Sequence, residues 1–266
     1  IELFFQKYGF TIFPKAFSQY FFTDNSLSNT LNNSSETILA SLLEQTKSGI
    51  PLLKKNKFFD WAAGQGKNIR VYQSTYMDFC AWPGVIDLCY TYPKNSIAAL
   101  ANTAYTTKEK AWVIASSYLT TNSLFQEVNK HLTDRDIFKT RTGPLTTFPN
   151  LMEQLQKDLA STHKDSLFFV HAPIPHFPYV YDKDCRPRPV SEWQSNKRFN
   201  TGPHKNTPNS YLEKYNLYDD QVLCIYKTLD GFLTELKTQN LYDGMTIIMQ
   251  GDHGSRINLD TEPYYN

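Results

Sequence analysis

Long apolar runs are missing from this 266-residue chain. No stretch approaches the roughly 18–20 residues that a membrane-spanning helix requires. An initiating methionine and a basic leader are missing too, because Ile1 opens directly into ordinary globular sequence. The chain therefore reads as one domain over residues 1–266, truncated at both ends, with any membrane segment lying upstream. Charge of one sign is also lacking. Lys+Arg number 27 against 26 Asp+Glu, a net charge of +1, which removes the global electrostatic case for nucleic acid. Repeats and low-complexity tracts are absent. None of the four cysteines (Cys80, Cys89, Cys185, Cys224) forms a C-x-x-C pair, which argues against a structural zinc site. They allow two disulfides in three connectivities, or four reduced thiols.

What is present is a balanced globular composition. Apolar residues make up 41% and charged residues 20%, enough to build a substantial core in one large α/β domain or two small ones. Short apolar stretches alternate with longer amphipathic ones, the pattern of an α/β layered domain. Residues Phe10 to Tyr20 hold β-type runs broken at Pro14. Ser35 to Gln45 carries Ile38, Leu39, Leu42 and Leu43 at helical spacing. Ile69 to Gln73 and Ser166 to His171 read as buried strands. Thr106 to His131 has a helical pattern, and Thr147 with Pro149 opens another helix. Tyr218 to Leu236 is an amphipathic helix with an apolar stripe. Met245 to Gln250, delivered by a turn at Asp243-Gly244, reads as a further buried strand. Residues 182–209 form a polar, proline-rich insert.

Chemistry concentrates in three places. Gly251-Asp252-His253-Gly254 follows an apolar segment directly. A glycine on each side of the pair lets the backbone turn so that carboxylate and imidazole converge, and together they suit a divalent cation. A polar turn after a strand is the alternative. His171-Ala-Pro-Ile-Pro-His176 leaves a second apolar segment. Its prolines forbid a helix and make a rigid loop of the kind that orients substrate. The alternative is one buried and one surface histidine. Arg186 and the other cations of the insert fit either an anionic substrate or a solvated loop.

HAPIPHFPYVYD and IIMQGDHGSR, separated by a Y-x-D-Q-V helix, resemble the sulfatase-like branch of the alkaline phosphatase superfamily. That branch includes phosphoethanolamine transferases and lipoteichoic acid synthases. Phe13 to Asn32 resembles their nucleophile segment and matches Thr23 to the nucleophile. Thr23 is expected just ahead of a short helix, Ser26 to Leu31, where phosphoryl oxygens meet unpaired amides; as a bare N-cap it would carry no chemistry.

The resemblance implies a three-layer α/β/α sandwich with a mostly parallel sheet. Asp252, His253 and Thr23 would bind a divalent ion, zinc first and manganese or calcium as alternatives. Thr23 and His176 would be catalytic, and His171, His176, Arg186 and Arg256 would contact substrate. The implied substrate is a phosphate ester or lipid-linked phosphoethanolamine or glycerol phosphate, with no nucleic acid partner. The implied location is extracytoplasmic, in the periplasm or at the cell surface, with membrane anchoring through segments absent from this chain.

The family places a further acidic ligand upstream of the nucleophile, where this chain offers only Glu2, and a histidine pocket beyond the Asp-His motif. The chain lacks the Cys-x-Pro-x-Arg segment of true sulfatases; Cys80-Ala81-Trp82-Pro83-Gly84 is a superficial echo. Phosphoryl transfer is thus expected ahead of phosphodiester or sulfate-ester hydrolysis, or of a non-catalytic binding domain. Cys80 and Cys89 flank a short turn and are either a bonded pair or two buried thiols.

Overall fold

The computed structural model describes residues 2–37, 42–45, 50–81, 84–92, 106–108, 110–111, 114–115, 143–161, 165–188, 208–255 and 257. Arg256, most of the segment expected to be helical over 106–131, and residues 189–207 of the insert lie outside the described residues. In chain order the elements are α1 (Glu2–Lys7), α2 (Thr23–Asn32), β1 (Leu43–Gln45), β2 (Pro51–Leu53), α3 (Lys57–Gly64), β3 (Asn68–Ser74), β4 (Leu88–Tyr92), α4 (Gly143–Ser161), β5 (Ser166–Val170) and α5 (Pro208–Thr238). A 3-10 turn closes the series at Tyr242–Gly244. None of the described helices is long and apolar enough to cross a membrane.

The chain divides into two compact units. The first takes Ile1–Thr91, Gln154–His171 and Thr228–Arg256, and the second takes Tyr92–Glu153, Ala172–Lys227 and Ile257–Asn266. The first unit is built on a three-stranded sheet in the order β4-β3-β5. β3 and β5 pair in parallel, with Ile69 opposite Leu167 and Val71 opposite Phe169. As the central strand, β3 is covered on both faces. On one face Ile69 and Val71 join Phe59 and Ala62 of α3 and Leu27 and Leu31 of α2 in the main core, with Phe169 packed against it. Full burial of Phe59, Ile69 and Val71 contributes about 1.5–3 kcal/mol for each side chain. On the other face the Tyr72 hydroxyl donates to Asp158 of α4 at 2.5 Å, and Gln154 of α4 donates to the Tyr90 hydroxyl. Burial and the Asp158 carboxylate push the Tyr72 phenol well above its ordinary pKa, so it stays a neutral donor. Helices therefore flank the sheet on both faces, as expected for the α/β class.

Local signals account for the helix ends. Asn56 caps α3 by accepting from the Phe59 amide, and Gly66 just past its end has φ +72, a conformation suited to glycine. Asn33 closes α2 in the left-handed region, its amide returning to Asn29 and Thr30 carbonyls.

Four expectations need correcting. Leu43–Gln45 is a strand, paired antiparallel with β2 so that Leu43 faces Leu53; residues 38–41 of the expected helix lie outside the described residues. The spacing of the leucines was helical, but cross-strand burial with Leu53 decided the local structure. Met245 to Gln250 is extended but joins no strand among the described residues, and Ile248 is 80% exposed. An apolar hexapeptide is therefore not sufficient for a strand without a neighbour to supply its ladder. Phe10 to Tyr20 is irregular, with a turn at Pro14-Lys15. Finally, the helix expected to begin at Ser26 begins at Thr23, after Phe22.

The second unit contains the histidine-proline segment from Ala172 onward. Tyr181 bridges Pro187 antiparallel, and Cys185 is bonded to Cys224 of α5. In the first unit Cys80 is bonded to Cys89. All four cysteines are thus paired.

Candidate active site

Thr23 is the first residue of α2, 5% exposed. Phe22 occupies the cap position in extended conformation and supplies no side-chain bond; its carbonyl accepts from Ser26 at 2.9 Å. Thr23 is therefore not an N-cap. Its hydroxyl is released from capping, and the amides of Thr23 and Asp24 in the first turn have no intrahelical acceptor.

The Asp-His pair meets this helix end. Thr23 Oγ1 lies 3.4 Å from His253 Nε2, and Asp252 Oδ2 lies 3.6 Å from the same nitrogen. His253 Nδ1 is 2.8 Å from the Gly254 carbonyl. A carbonyl oxygen only accepts, so Nδ1 carries the proton and the neutral ring bears its lone pair on Nε2, towards Thr23. The other carboxylate oxygen, Asp252 Oδ1, accepts from the His253 amide at 3.0 Å. Ser26 Oγ donates a short bond to the Asp252 carbonyl. Residues three apart on one helix thus hold the two sides of the site: Thr23 faces the imidazole and Ser26 pins the turn that bears it.

α2 is braced where it would otherwise be costly to bury. Asn32, 1% exposed, donates to the Ser28 and Lys55 carbonyls at 2.8 Å each and accepts from the Lys57 amide at 3.3 Å. Asn29 donates to Asn25 and Glu36 carbonyls and accepts from the Ser34 hydroxyl and Glu36 amide. Sequence reasoning missed both. Their polar character gave no sign of which carbonyls, some more than twenty residues away, they would meet.

His171 ends β5, where its amide continues the ladder to the Tyr72 carbonyl at 2.9 Å. The ring packs edge-on to Phe79 at 5.3 Å between centroids, and Nδ1 is buried without a partner. Burial brings its pKa down to about 4, opposed by the Asp252 carboxylate, so the ring is neutral at physiological pH. Within the second unit, His176 Nδ1 lies 2.8 Å from the Phe177 carbonyl, which fixes the same tautomer as in His253. Arg186 is exposed, and its amide bonds to Asp182 Oδ1 at 2.8 Å. Thus Thr23, Asp252 and His253 come together, His171 feels the Asp252 charge, and His176 and Arg186 belong to the second unit.

The donor set fits a divalent cation in kind and spacing. Two ligands about 2.1 Å from a tetrahedral ion lie about 3.4 Å apart, matching the 3.4 and 3.6 Å separations around His253 Nε2. Among the described residues no three His, Cys, Asp or Glu side chains converge, so the strong donors are one carboxylate and one imidazole.

No curated protein and no solved structure matches the chain significantly. A sulfatase family model matches residues 5–265, nearly the whole chain. Enzymes of this family share an alkaline-phosphatase-like α/β fold, act as hydrolases or transferases and use divalent metal ions. With the parallel β3–β5 pair and the Asp-His turn set against α2, this extended match identifies the chain as a member of the sulfatase family.

Proposed function

We propose that the protein is a metal-dependent phosphoryl transferase or hydrolase that uses Thr23 as its nucleophile on a phosphate ester. The observation that carries this reading is the 3.4 Å approach of Thr23 Oγ1 to His253 Nε2 at the first turn of a ten-residue helix. Asp252 and His253, with Thr23, would hold the ion, and the mixed oxygen and nitrogen donors favour zinc, with manganese next. Bound there, such an ion lowers the pKa of a coordinated hydroxyl and neutralises phosphate charge.

The residues then divide the work. Thr23 Oγ, its proton released to solvent water, forms a bond to phosphorus while the bond to the leaving oxygen breaks. The amides of Thr23 and Asp24 in the first turn of α2, which lack intrahelical acceptors, receive the phosphoryl oxygens, and the helix dipole favours their charge. We assign His176 to substrate handling: its imidazolium gives the Nε2 proton to the leaving oxygen, and the neutral Nδ1–H ring that results later takes one from the acceptor. The phosphothreonine passes its phosphoryl group to an acceptor hydroxyl or to water, restoring Thr23. The missing Cys-x-Pro-x-Arg segment favours phosphate over sulfate. Resemblance to phosphoethanolamine transferases and lipoteichoic acid synthases suggests a lipid-linked substrate and membrane anchoring through segments absent from this chain. Two disulfides support an extracytoplasmic location.

Aryl phosphate mono- and diesters and an aryl sulfate, each offered with zinc or manganese, test the reading. Phosphate esters should turn over, and Thr23→Ala should lower the rate by at least about 1,000-fold while leaving the melting temperature unchanged. Mass spectrometry of acid-quenched wild type should find one phosphoryl group on the Thr23 peptide. Turnover retained by Thr23→Ala would refute the nucleophile.

A further inference from the structure

Helix α5 presents one face to the segment that follows the histidine-proline loop. Asp220 pairs with Arg188, Cys224 is bonded to Cys185, and Lys227 reaches Asp184 at 3.4 Å. These three positions lie at helical spacing of four and three residues, so they share a stripe. Arg188 also returns to the Tyr181 carbonyl through Nε at 3.1 Å, and its amide donates to the Val180 carbonyl at 2.8 Å. The stripe therefore secures residues 180–188. Gln221 lies beside it and is 0% exposed.

Its amide does something the charged pairs do not. Oε1 accepts from the Val180 amide at 2.8 Å and the Tyr181 amide at 3.4 Å, while Nε2 donates to the His176 carbonyl at 3.3 Å. The orientation follows from chemistry: main-chain N–H groups only donate and a carbonyl only accepts, so the flipped amide would face like with like. One side chain thus spans the segment from His176 to Tyr181 and holds it at both ends. Pro178 within that segment has no N–H of its own, and Val180 is fully buried, so its amide requires an internal acceptor. A hydrophobic residue at 221 would leave that donor orphaned.

We propose that Gln221 is a positioning residue for His176: by gripping the His176 carbonyl and the Val180 and Tyr181 amides, it fixes the backbone on which the His176 ring bonds to Phe177. This rests on the assignment of His176 to substrate handling. The ring is set by its own neighbour, since Nδ1 donates to the Phe177 carbonyl at 2.8 Å. That bond reaches across the peptide between His176 and Phe177, whose carbonyl Gln221 Nε2 holds, and ends on the carbonyl of the next peptide unit. Locking Nδ1–H puts the lone pair of the neutral ring on Nε2, the nitrogen that exchanges a proton with substrate. Gln221 acts through this peptide and touches no reacting atom.

The test reads the ring directly. In histidine-labelled protein, long-range proton–nitrogen spectra at a pH where the ring is neutral should show His176 as a single Nδ1–H tautomer, assigned by the loss of its signals in His176→Gln. Gln221→Leu should broaden or split that pattern and move it towards the Nε2–H tautomer that an unrestrained imidazole prefers in water. Gln221→Glu keeps the acceptor for Val180 but loses the donor to His176. It supplies the same readout if the leucine variant does not fold. An unchanged tautomer pattern in the folded variants overturns the proposal. In activity, Gln221→Leu and His176→Ala should each lower kcat/KM by about 100-fold, and the double variant should be no worse than His176→Ala alone. Additive losses also overturn the proposal. Full activity in His176→Ala would instead overturn the role given to His176, while the spectra would still decide whether Gln221 sets its ring.

Discussion

Replacing His253 by alanine tests whether its Nε2 ligates a cation, as proposed, or instead accepts the Thr23 proton. The magnitude follows from the donors present. Zinc sites built from four protein ligands bind with about 10–16 kcal/mol, or about 2.5–4 kcal/mol for each ligand. A protonated threonine hydroxyl is a weak ligand, so Asp252 and His253 together contribute about 5–8 kcal/mol, a dissociation constant between about 200 µM and about 1 µM. Removing the imidazole should then weaken zinc binding by about 100- to 1,000-fold. Isothermal titration of zinc into wild type, His253→Ala and Asp252→Asn measures all three at one pH. If His253→Ala binds within about threefold of wild type while Asp252→Asn does not, the ring is not a ligand and its contact with Thr23 is acid–base. Nanomolar binding by wild type would contradict the donor count. In that case His171→Gln asks whether the buried, partnerless Nδ1 of His171 completes the site.

Two further outcomes are expected. Asn32→Ala removes three hydrogen bonds, one within α2 and two that tie it to the start of α3. At about 1 kcal/mol each, the loss of about 3 kcal/mol should lower the melting temperature by about 6–12 °C; a shift below about 2 °C would mean the brace is redundant. Thiol titration of unfolded, unreduced protein should find no free thiol, and four free thiols would remove both disulfides together with the extracytoplasmic reading.

Much of the sheet was legible because its central strand β3 is largely buried and β5 beside it is apolar. Ile69, Val71 and Tyr72 are β-branched or aromatic, and Ser166 to Val170 is a dense apolar run, a composition that suits strands of a covered sheet. The stripe of Tyr218 to Leu236 was equally plain, though the helix extends to Pro208 and Thr238. Misreadings occurred where a partner decides the outcome. Leu43 to Gln45 becomes a strand because β2 lies opposite, and Met245 to Gln250 stays unpaired among the described residues. In the candidate site, Thr23, Asp252 and His253 could be named because residue type carries their chemistry. Gln221, Asn29 and Asn32 could not, since the worth of a buried amide lies in main-chain partners that only the fold supplies. Neither Gly251 nor Gly254 has positive φ; a Cβ at Gly251 would come 3.4 Å from the His253 carbonyl, and one at Gly254 would meet nothing within 4 Å. The turn that presents Asp252 and His253 does not depend on left-handed backbone. It is held by the Asp252–His253 amide bond and by Ser26.

The three described histidines of these motifs show how the chain sets imidazole chemistry by two different means. His253 and His176 each donate Nδ1–H to the carbonyl of the next residue, at 2.8 Å in both cases. The acceptor is main chain, so it persists whatever side chain follows. The requirement is a backbone turn immediately after the histidine, which Ser26 supports in one case and Gln221 in the other. Each neutral ring is left with its lone pair on Nε2, the nitrogen suited to a cation or a transferable proton. His171 follows the opposite course. It continues the β5 ladder, packs on Phe79 and Tyr76, and is kept neutral by burial. Desolvation acts on both of its nitrogens and selects no tautomer. A ring defined by a hydrogen bond has a direction, whereas a ring defined by burial has only a charge state. On that ground we propose that His253 and His176 carry the directional chemistry, with His171 a neutral wall near the Asp252 charge.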